Sequence, residues 1–388
     1  MKERFTEPSG TYVTISTVGE TARAFVPNNL PPHSLTSFGF NDLDLLERAN
    51  RSLGRLDALS ALLPDASLFI YFYVRKEAVL SSQIEGTQSS LSELLLFEEA
   101  QPAGVPVDDV EEVSRYVAAL NHGIRRIRED GFPLSLRLLR EIHAVLLNSG
   151  RGSDKEPGEF RTSQNWIGGT RPGNAAYVPP PPDRLVDCLG DLEQFLHSTE
   201  PAMPLLIRTA LAHVQFESIH PFLDGNGRLG RLLVTLLLIG ERAMDDPLLY
   251  LSLYFKQNRD RYYHLLQRVR EESDWLSWIR FFLEGVRETA NEATMTARRI
   301  TTLFEVDRGR TQDIGRAAGS ALRVHEYLQR RPLTSLSAAA ESTGLTYPTV
   351  NSAMGALEQL GIVEEITGKS RGKLYAYKEY LRILNAGA

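Results

Sequence analysis

The run His220-Pro221-Phe222-Leu223-Asp224-Gly225-Asn226-Gly227-Arg228-Leu229-Gly230-Arg231, leading into an apolar stretch, constrains this 388-residue chain more than any other feature. Before it, Leu205 to Ser218 places Ile207, Leu211 and Val214 at helical spacing, with Ala210 between them. After it, Leu229 to Ile239 carries Leu232, Leu233, Val234, Leu236, Leu237 and Leu238, apolar on nearly every side. That pattern belongs to a buried helix rather than an amphipathic one. The run between must therefore be a tight turn that opens a core helix. Gly225-Asn226-Gly227 can take backbone angles closed to most residues and turn successive N–H groups outward, at the positive end of the following helix. An anion is the natural guest.

The side chains suit a polyphosphate. Arg228 and Arg231 stand three apart, on one face of the first helical turn, and guanidinium groups grip phosphate oxygens in bidentate fashion. Asp224 would repel phosphate unless a cation intervenes. Mg²⁺ is the obvious choice, because it takes one or two carboxylates and completes its octahedron with phosphate oxygens and water. His220 is the side chain suited to accept a proton near neutral pH. Base, metal ligand and phosphate cradle together describe nucleotide chemistry.

These residues match the Fic (Fido) motif, H-x-F-x-D/E-G-N-G-R-x-x-R, at every defined position, and the chain resembles that family. The resemblance implies a mainly helical Fic-fold core that transfers AMP from ATP, with Mg²⁺, to a Ser, Thr or Tyr hydroxyl of a target protein. His220 would be the base and Asp224 the metal ligand. Backbone N–H groups from Gly225 to Gly227, with the Asn226 amide, would stabilise the transferred phosphate, and Arg228 and Arg231 would hold the distal phosphates. Upstream, Ser81-Ser82-Gln83-Ile84-Glu85-Gly86 reads by itself as a polar helix end stopped by Gly86. Beside the motif it resembles the family's inhibitory sequence S/T-x-x-x-E-G/N, mapped to Ser81, Glu85 and Gly86. In that class the glutamate pairs with the second motif arginine, here Arg231, and blocks the γ-phosphate position.

The wider chain sets bounds. Its 43 basic and 49 acidic residues give a net charge of −6, so no global field favours nucleic acid or acidic membranes. One cysteine, Cys188, cannot form an intrachain disulfide, which fits a reducing compartment. Met1-Lys2-Glu3-Arg4 leads into polar residues with no visible signal peptide, and the run from Leu232 to Ile239 is far too short to span a bilayer. A cytoplasmic protein is expected.

Residues 1 to about 40 read as an extended arm wrapping the body, with β-like pieces such as Tyr12-Val13-Thr14-Ile15. Helical spacing starts near Asn41 or Asp42 and runs to Leu63, where Pro64 and Asp65 break it. Further helices are expected over 68–83, 91–100, 108–130 and from the Ser135 cap to Leu147, with a Pro/Gly connector at 101–107. Residues 151–182 lose helical period, and two short strands flanking Thr170 to Asn174 would form a hairpin. By resemblance this is the flap on which a target segment adds a strand. The segment from Leu248 to Leu265 would lie over adenine and ribose, with Asn258 and Tyr263 as contacts, although Tyr262 and Tyr263 equally suit a core. Trp275 to Ala290 would close the core.

From about Ala317 three helical pieces precede two alternating segments, 361–365 and 373–377, joined by a basic tip with Lys369, Arg371 and Lys373. This resembles a winged helix-turn-helix. The module holds eight Lys/Arg against six Asp/Glu, and its third helix has neither Lys nor Arg. DNA binding is thus weakly supported, and a docking or dimerisation role stands beside it.

The expected domains are 1–100, a helical region with the inhibitory sequence; 101–290, the catalytic core; 291–316, a helical linker; and 317–388, the winged helix. AMP removal at the same site, and a DNA-binding regulator with a nucleotide-sensing core, remain alternatives. A homodimer follows from resemblance only.

Overall fold

A computed structural model describes residues 8–17, 19–32, 35, 38–62, 66–100, 107–150, 152–368 and 372–386. The expected helix break at Pro64 and Asp65, most of the connector (101–106), and Lys369 and Arg371 lie outside the described residues. The N-terminal arm folds as a hairpin rather than an extended wrap. Strands β1 (Gly10–Thr17) and β2 (Glu20–Pro27) pair antiparallel, from Gly10 opposite Pro27 to Thr17 opposite Glu20. Gly19, at φ +82°, supplies a left-handed turn residue that side-chain-bearing residues resist.

Five helices follow: α1 (Phe40–Leu62), α2 (Ala66–Ile84), α3 (Leu91–Ala100), α4 (Val107–Arg128) and α5 (Leu136–Leu146). Ser135 caps α5 as expected, its hydroxyl accepting from the Leu138 N–H. The hairpin expected near residues 165–180 shrinks to one bridge, Ile167 with Tyr177, around a 3₁₀ turn at Pro172–Asn174. Pro172 and Pro179 to Pro182 lack N–H donors, so no longer ladder can form there. This flap is braced by the N-terminal hairpin: Phe25 N–H donates to Val178 O at 2.9 Å, and Glu20 accepts from Gly173 N–H at 3.0 Å.

The core continues through α6 (Pro182–His197), α7 (Leu205–Ile219), α8 (Asn226–Gly240), α9 (Ser252–Gln257) and α10 (Arg259–Glu272) to α11 (Trp275–Gln312). Every residue of α8 from Arg228 to Ile239 is buried. Each of its leucines contributes roughly 1.5–3 kcal/mol by leaving water, which fixes the turn before it to the middle of the molecule. Helix α11 runs unbroken through residue 290 and most of the expected linker, to Gln312, because residues 286–312 contain no proline and only one glycine, Gly309.

The C-terminal module comprises α12 (Ala318–Arg330), β3 (Leu333–Ser335), α13 (Leu336–Thr343), α14 (Tyr347–Gln359), β4 (Val363–Glu365), β5 (Leu374–Tyr377) and α15 (Lys378–Asn385). Its sheet has the order β3-β5-β4. It is a winged helix-turn-helix, with β3 and α15 added to the expected elements. Helix α15 packs on α2: Tyr380 meets Phe72 edge to face at 5.4 Å, and Lys76 Nζ donates to Ala386 O at 2.7 Å. Among the described residues no helix is long and apolar enough to cross a membrane.

Candidate active site

The site is the junction of α7 and α8, closed from above by the end of α2. His220 follows α7 in the left-handed region, at φ 50°, a conformation that costs a non-glycine residue on the order of 1–3 kcal/mol. Burial, then the charges of Arg270 and Arg161, push its imidazole down to about 3. It is therefore neutral at physiological pH and able to accept a proton.

The turn is locked from within. Asn226 Oδ1 accepts from Phe222 N–H at 2.9 Å, while its Nδ2 donates to Phe222 O at 2.8 Å. The amide expected to face the phosphate is thus closed on the backbone. His143 of α5 stacks on Phe222 at 3.7 Å, accepts from Gly158 N–H at Nδ1 and reaches Asp224 O with Nε2 at 3.0 Å. Asn165, from the flap segment, donates to Phe222 O at 3.0 Å. A lone histidine on the apolar face of α5 was the only sequence signal for His143, and it gave no hint of its partners.

The two motif arginines part company. Arg228 turns inward, 2% exposed, with Nη1 3.0 Å from Glu112 of α4 and Nη2 3.7 Å from Asp224. Its charge lies beneath the turn rather than in the open cradle. Arg231 faces α2: Nε donates to Ser81 Oγ at 2.8 Å, and Nη2 to Ser81 O at 3.0 Å and Glu85 Oε1 at 2.7 Å. Gly86, at φ +105°, ends α2 so that Glu85 reaches over the N-terminus of α8. The Glu85 carboxylate lies against Gly227, where a methyl group would overlap it. Burial opposes its ionisation, yet Arg231, with Arg228 and His220 behind it, holds its carboxyl below the usual range.

The expected adenine segment divides. Tyr262 is 1% exposed and its hydroxyl bonds His213 Nε2 at 2.9 Å, so it belongs to the core. Tyr263 is 39% exposed, and burial of its hydroxyl and the nearby Glu85 charge raise it to about 12. Asn258 spends Nδ2 on Tyr254 O at 3.0 Å, closing α9.

Asp224 is about one-third exposed and takes Gly225 N–H on Oδ1 at 2.6 Å. Gly152 leaves room for its other oxygen, where a Cβ would stand 2.7 Å away. Among the described residues no three His, Cys, Asp or Glu side chains cluster as a metal cage. One open carboxylate beside an anion cradle fits a Mg²⁺ ion shared with phosphate.

Family comparisons agree with this geometry. Residues 43–125 match the Fic/DOC family N-terminal region and residues 133–238 the Fic/DOC family itself. The chain carries a Fic/DOC N-terminal domain and a Fic/DOC domain. Residues 320–364 match a winged helix-turn-helix DNA-binding family. The chain is 31% identical over 248 residues to the protein adenylyltransferase Fic of Culex quinquefasciatus, covering 63% of this chain and 46% of that one. It is 33% identical over 210 residues to the Aedes aegypti protein of that name, covering 53% and 39%. The chain thus spans less than half the length of these curated relatives. The Fic fold recurs in a Fic family protein from Desulfovibrio desulfuricans G20, with TM-score 0.58, 21% identity and coverage of 90% of this chain and 98% of that one. Residues 134–508 of C. elegans Fic-1 give TM-score 0.52 at 21% identity, covering 67% and 74%.

Proposed function

We propose that this Fic/DOC protein transfers AMP from ATP to a hydroxyl of a target protein and is held off by Glu85. The observation that carries the reading is the Glu85 carboxylate seated on Arg231 and Gly227, where an incoming phosphate oxygen would bind. A carboxylate there neutralises the guanidinium and repels the anion it would otherwise attract.

With Glu85 withdrawn, Arg231 and the N–H groups of Gly225 to Gly227 receive the phosphates. Asp224 would hold Mg²⁺, which supplies charge neutralisation at the phosphate oxygens. The target hydroxyl oxygen bonds to the α-phosphorus, the bond to the bridging oxygen breaks, and pyrophosphate leaves. His220 takes the hydroxyl proton. Tyr263, half-exposed, would contact the nucleoside, and the flap around the Ile167–Tyr177 bridge would receive an extended target segment. The buried Cys188 thiol suits a reducing, cytoplasmic setting.

The ionised state of Glu85 favours a second reading, AMP removal, in which the carboxylate positions a water. The exposed Tyr347 on α14 leaves a DNA partner open for the winged module, and a homodimer is carried by family resemblance alone.

The test is label transfer from α-labelled ATP to protein in a host lysate, with wild type, Glu85→Gly and His220→Ala. Weak, strong and absent labelling, in that order, is the expected result. No labelling by a Glu85→Gly protein that binds ATP would move AMP removal or a regulatory role to the front.

A further inference from the structure

We infer that Arg161 and Arg270, both outside the sequence motif, are positioning residues that hold His220 in place by gripping the backbone at the end of α7. The inference rests on the reading of His220 as the proton acceptor in the proposed transfer.

The last carbonyls of a helix have no partner within it. At the end of α7, five consecutive carbonyls meet donors from outside the helix. Arg270 of α10 donates from Nη2 to Glu217 O at 3.2 Å, and from Nε to Ser218 Oγ at 3.2 Å. The Tyr177 hydroxyl of the flap donates to Ser218 O. Arg161 donates from Nη2 to Ile219 O at 3.4 Å and from Nε to His220 O at 2.9 Å. Its own N–H donates to Pro221 O at 2.9 Å. Both arginines are buried, at 2% and 8% exposure. The negative end of a helix compensates a buried guanidinium in part, and the carbonyls satisfy its N–H groups.

The arrangement is more than a cap. A histidine in the left-handed region persists only where its surroundings over-determine it. Here the carbonyls of Ile219 and His220 are held by one guanidinium fork, and that of Pro221 by the backbone N–H of the same arginine. Arg161 also donates to Ser163 O and Pro180 O, so one side chain joins the start of the flap, its end and the catalytic turn. Arg270 lies over the Tyr177 ring at 3.7 Å, and Tyr177 pairs with Ile167 across the flap. The surface proposed to receive the target is therefore bonded directly to the backbone that carries the base.

Charge adds a second effect. His220 faces Arg270 from α10, Arg161 from the segment before the flap, Glu85 from the end of α2 and the Glu217 carbonyl of its own helix. The two arginines disfavour a further positive charge on the imidazole, so the ring stays unprotonated at neutral pH.

Geometry and charge separate by substitution. In a Glu85→Gly background, Arg270→Lys keeps the charge and loses the fork, while Arg270→Gln loses both; Arg161→Lys and Tyr177→Phe remove in turn the second fork and the hydroxyl bond to Ser218 O. For Arg270→Lys we expect kcat to fall tenfold or more, with the KM for ATP within twofold and the His220 titration unmoved. For Arg270→Gln we expect the same loss and a His220 titration raised by about one unit or more. The titration is read by NMR on the histidine-labelled full chain, assigned by the resonance missing from His220→Ala. Variants with lower melting temperatures but unchanged kcat and unchanged titration would overturn the inference, as would a rise in the KM for ATP that accounts for the lost activity. If the Glu85→Gly parent transfers no AMP, the proposed reaction fails by itself, and the NMR arm still decides whether the Arg270 charge acts on His220.

Discussion

Glu85 Oε1 lies 2.7 Å from Arg231 Nη2 and rests on the α-carbon of Gly227, so the inhibitory carboxylate and the anion cradle share the first turn of α8. A methyl group at 227 would enter the space that the Glu85 carboxylate now fills. In the Glu85→Gly background, Gly227→Ala is expected to put its methyl where phosphate would bind. ATP affinity should fall at least tenfold, about 1.4 kcal/mol, in a calorimetric titration. An unchanged affinity would place the phosphate elsewhere.

Ser81 holds Arg231 from below through Oγ, at 2.8 Å, and through its carbonyl. Ser81→Ala leaves one donor of a buried guanidinium without its acceptor. Unfolding in urea should show a loss of roughly 1.5–3 kcal/mol. Ser81→Thr, which keeps a hydroxyl, should lose less than Ser81→Ala; equal losses would mean that the hydroxyl bond is immaterial.

Adjacent tyrosines should behave oppositely. Tyr262→Phe removes a buried hydroxyl bonded to His213, and should cost about 1 kcal/mol of stability with no change in the KM for ATP. Tyr263→Ala should raise that KM with little change in stability, because the ring is half-exposed and its hydroxyl feels the Glu85 and Arg231 charges. Steady-state kinetics beside thermal melts would separate the two, and a shared effect on KM would refute the division.

Glu77 of α2 is fully enclosed, accepting from the Tyr116 hydroxyl and Ser252 N–H, and burial raises its carboxyl to about 7. A carboxyl with a raised folded pKa contributes most below its unfolded value and loses that contribution as pH rises through the folded one. Between about pH 4.5 and 7 wild type should therefore lose about 3 kcal/mol that Glu77→Gln does not. Urea melts of both proteins across pH 4.5–8 measure the difference, and a gap that stays constant with pH would contradict the assignment.

How much of this was legible in the sequence follows from the range of each interaction. The turn from His220 to Arg231 and the Ser81-to-Gly86 helix end are local patterns, and the structure brings them together. The apolar run after Arg231 likewise announced its burial, because periodicity reports environment directly. Arg161, Arg270, His143 and Glu112 were invisible because each acts through backbone or charge far away in sequence, with no local spacing to mark it. The inward turn of Arg228 was hidden for the same reason: its partner, Glu112, lies in another helix. The N-terminal hairpin escaped because the Tyr12 to Ile15 segment signals a strand but not its mate. The long α11 was read as a core helix plus linker, although residues 286–312 hold no break in helical propensity beyond Gly309.

The most direct measurement is calorimetric titration of Mg²⁺-ATP and of AMP into wild type and Glu85→Gly. If Glu85 occupies a distal-phosphate position, its removal tightens ATP binding at least tenfold, about 1.4 kcal/mol, and leaves AMP binding nearly unchanged. Equal ATP affinities in the two proteins, or AMP tightened as much as ATP, would contradict the account.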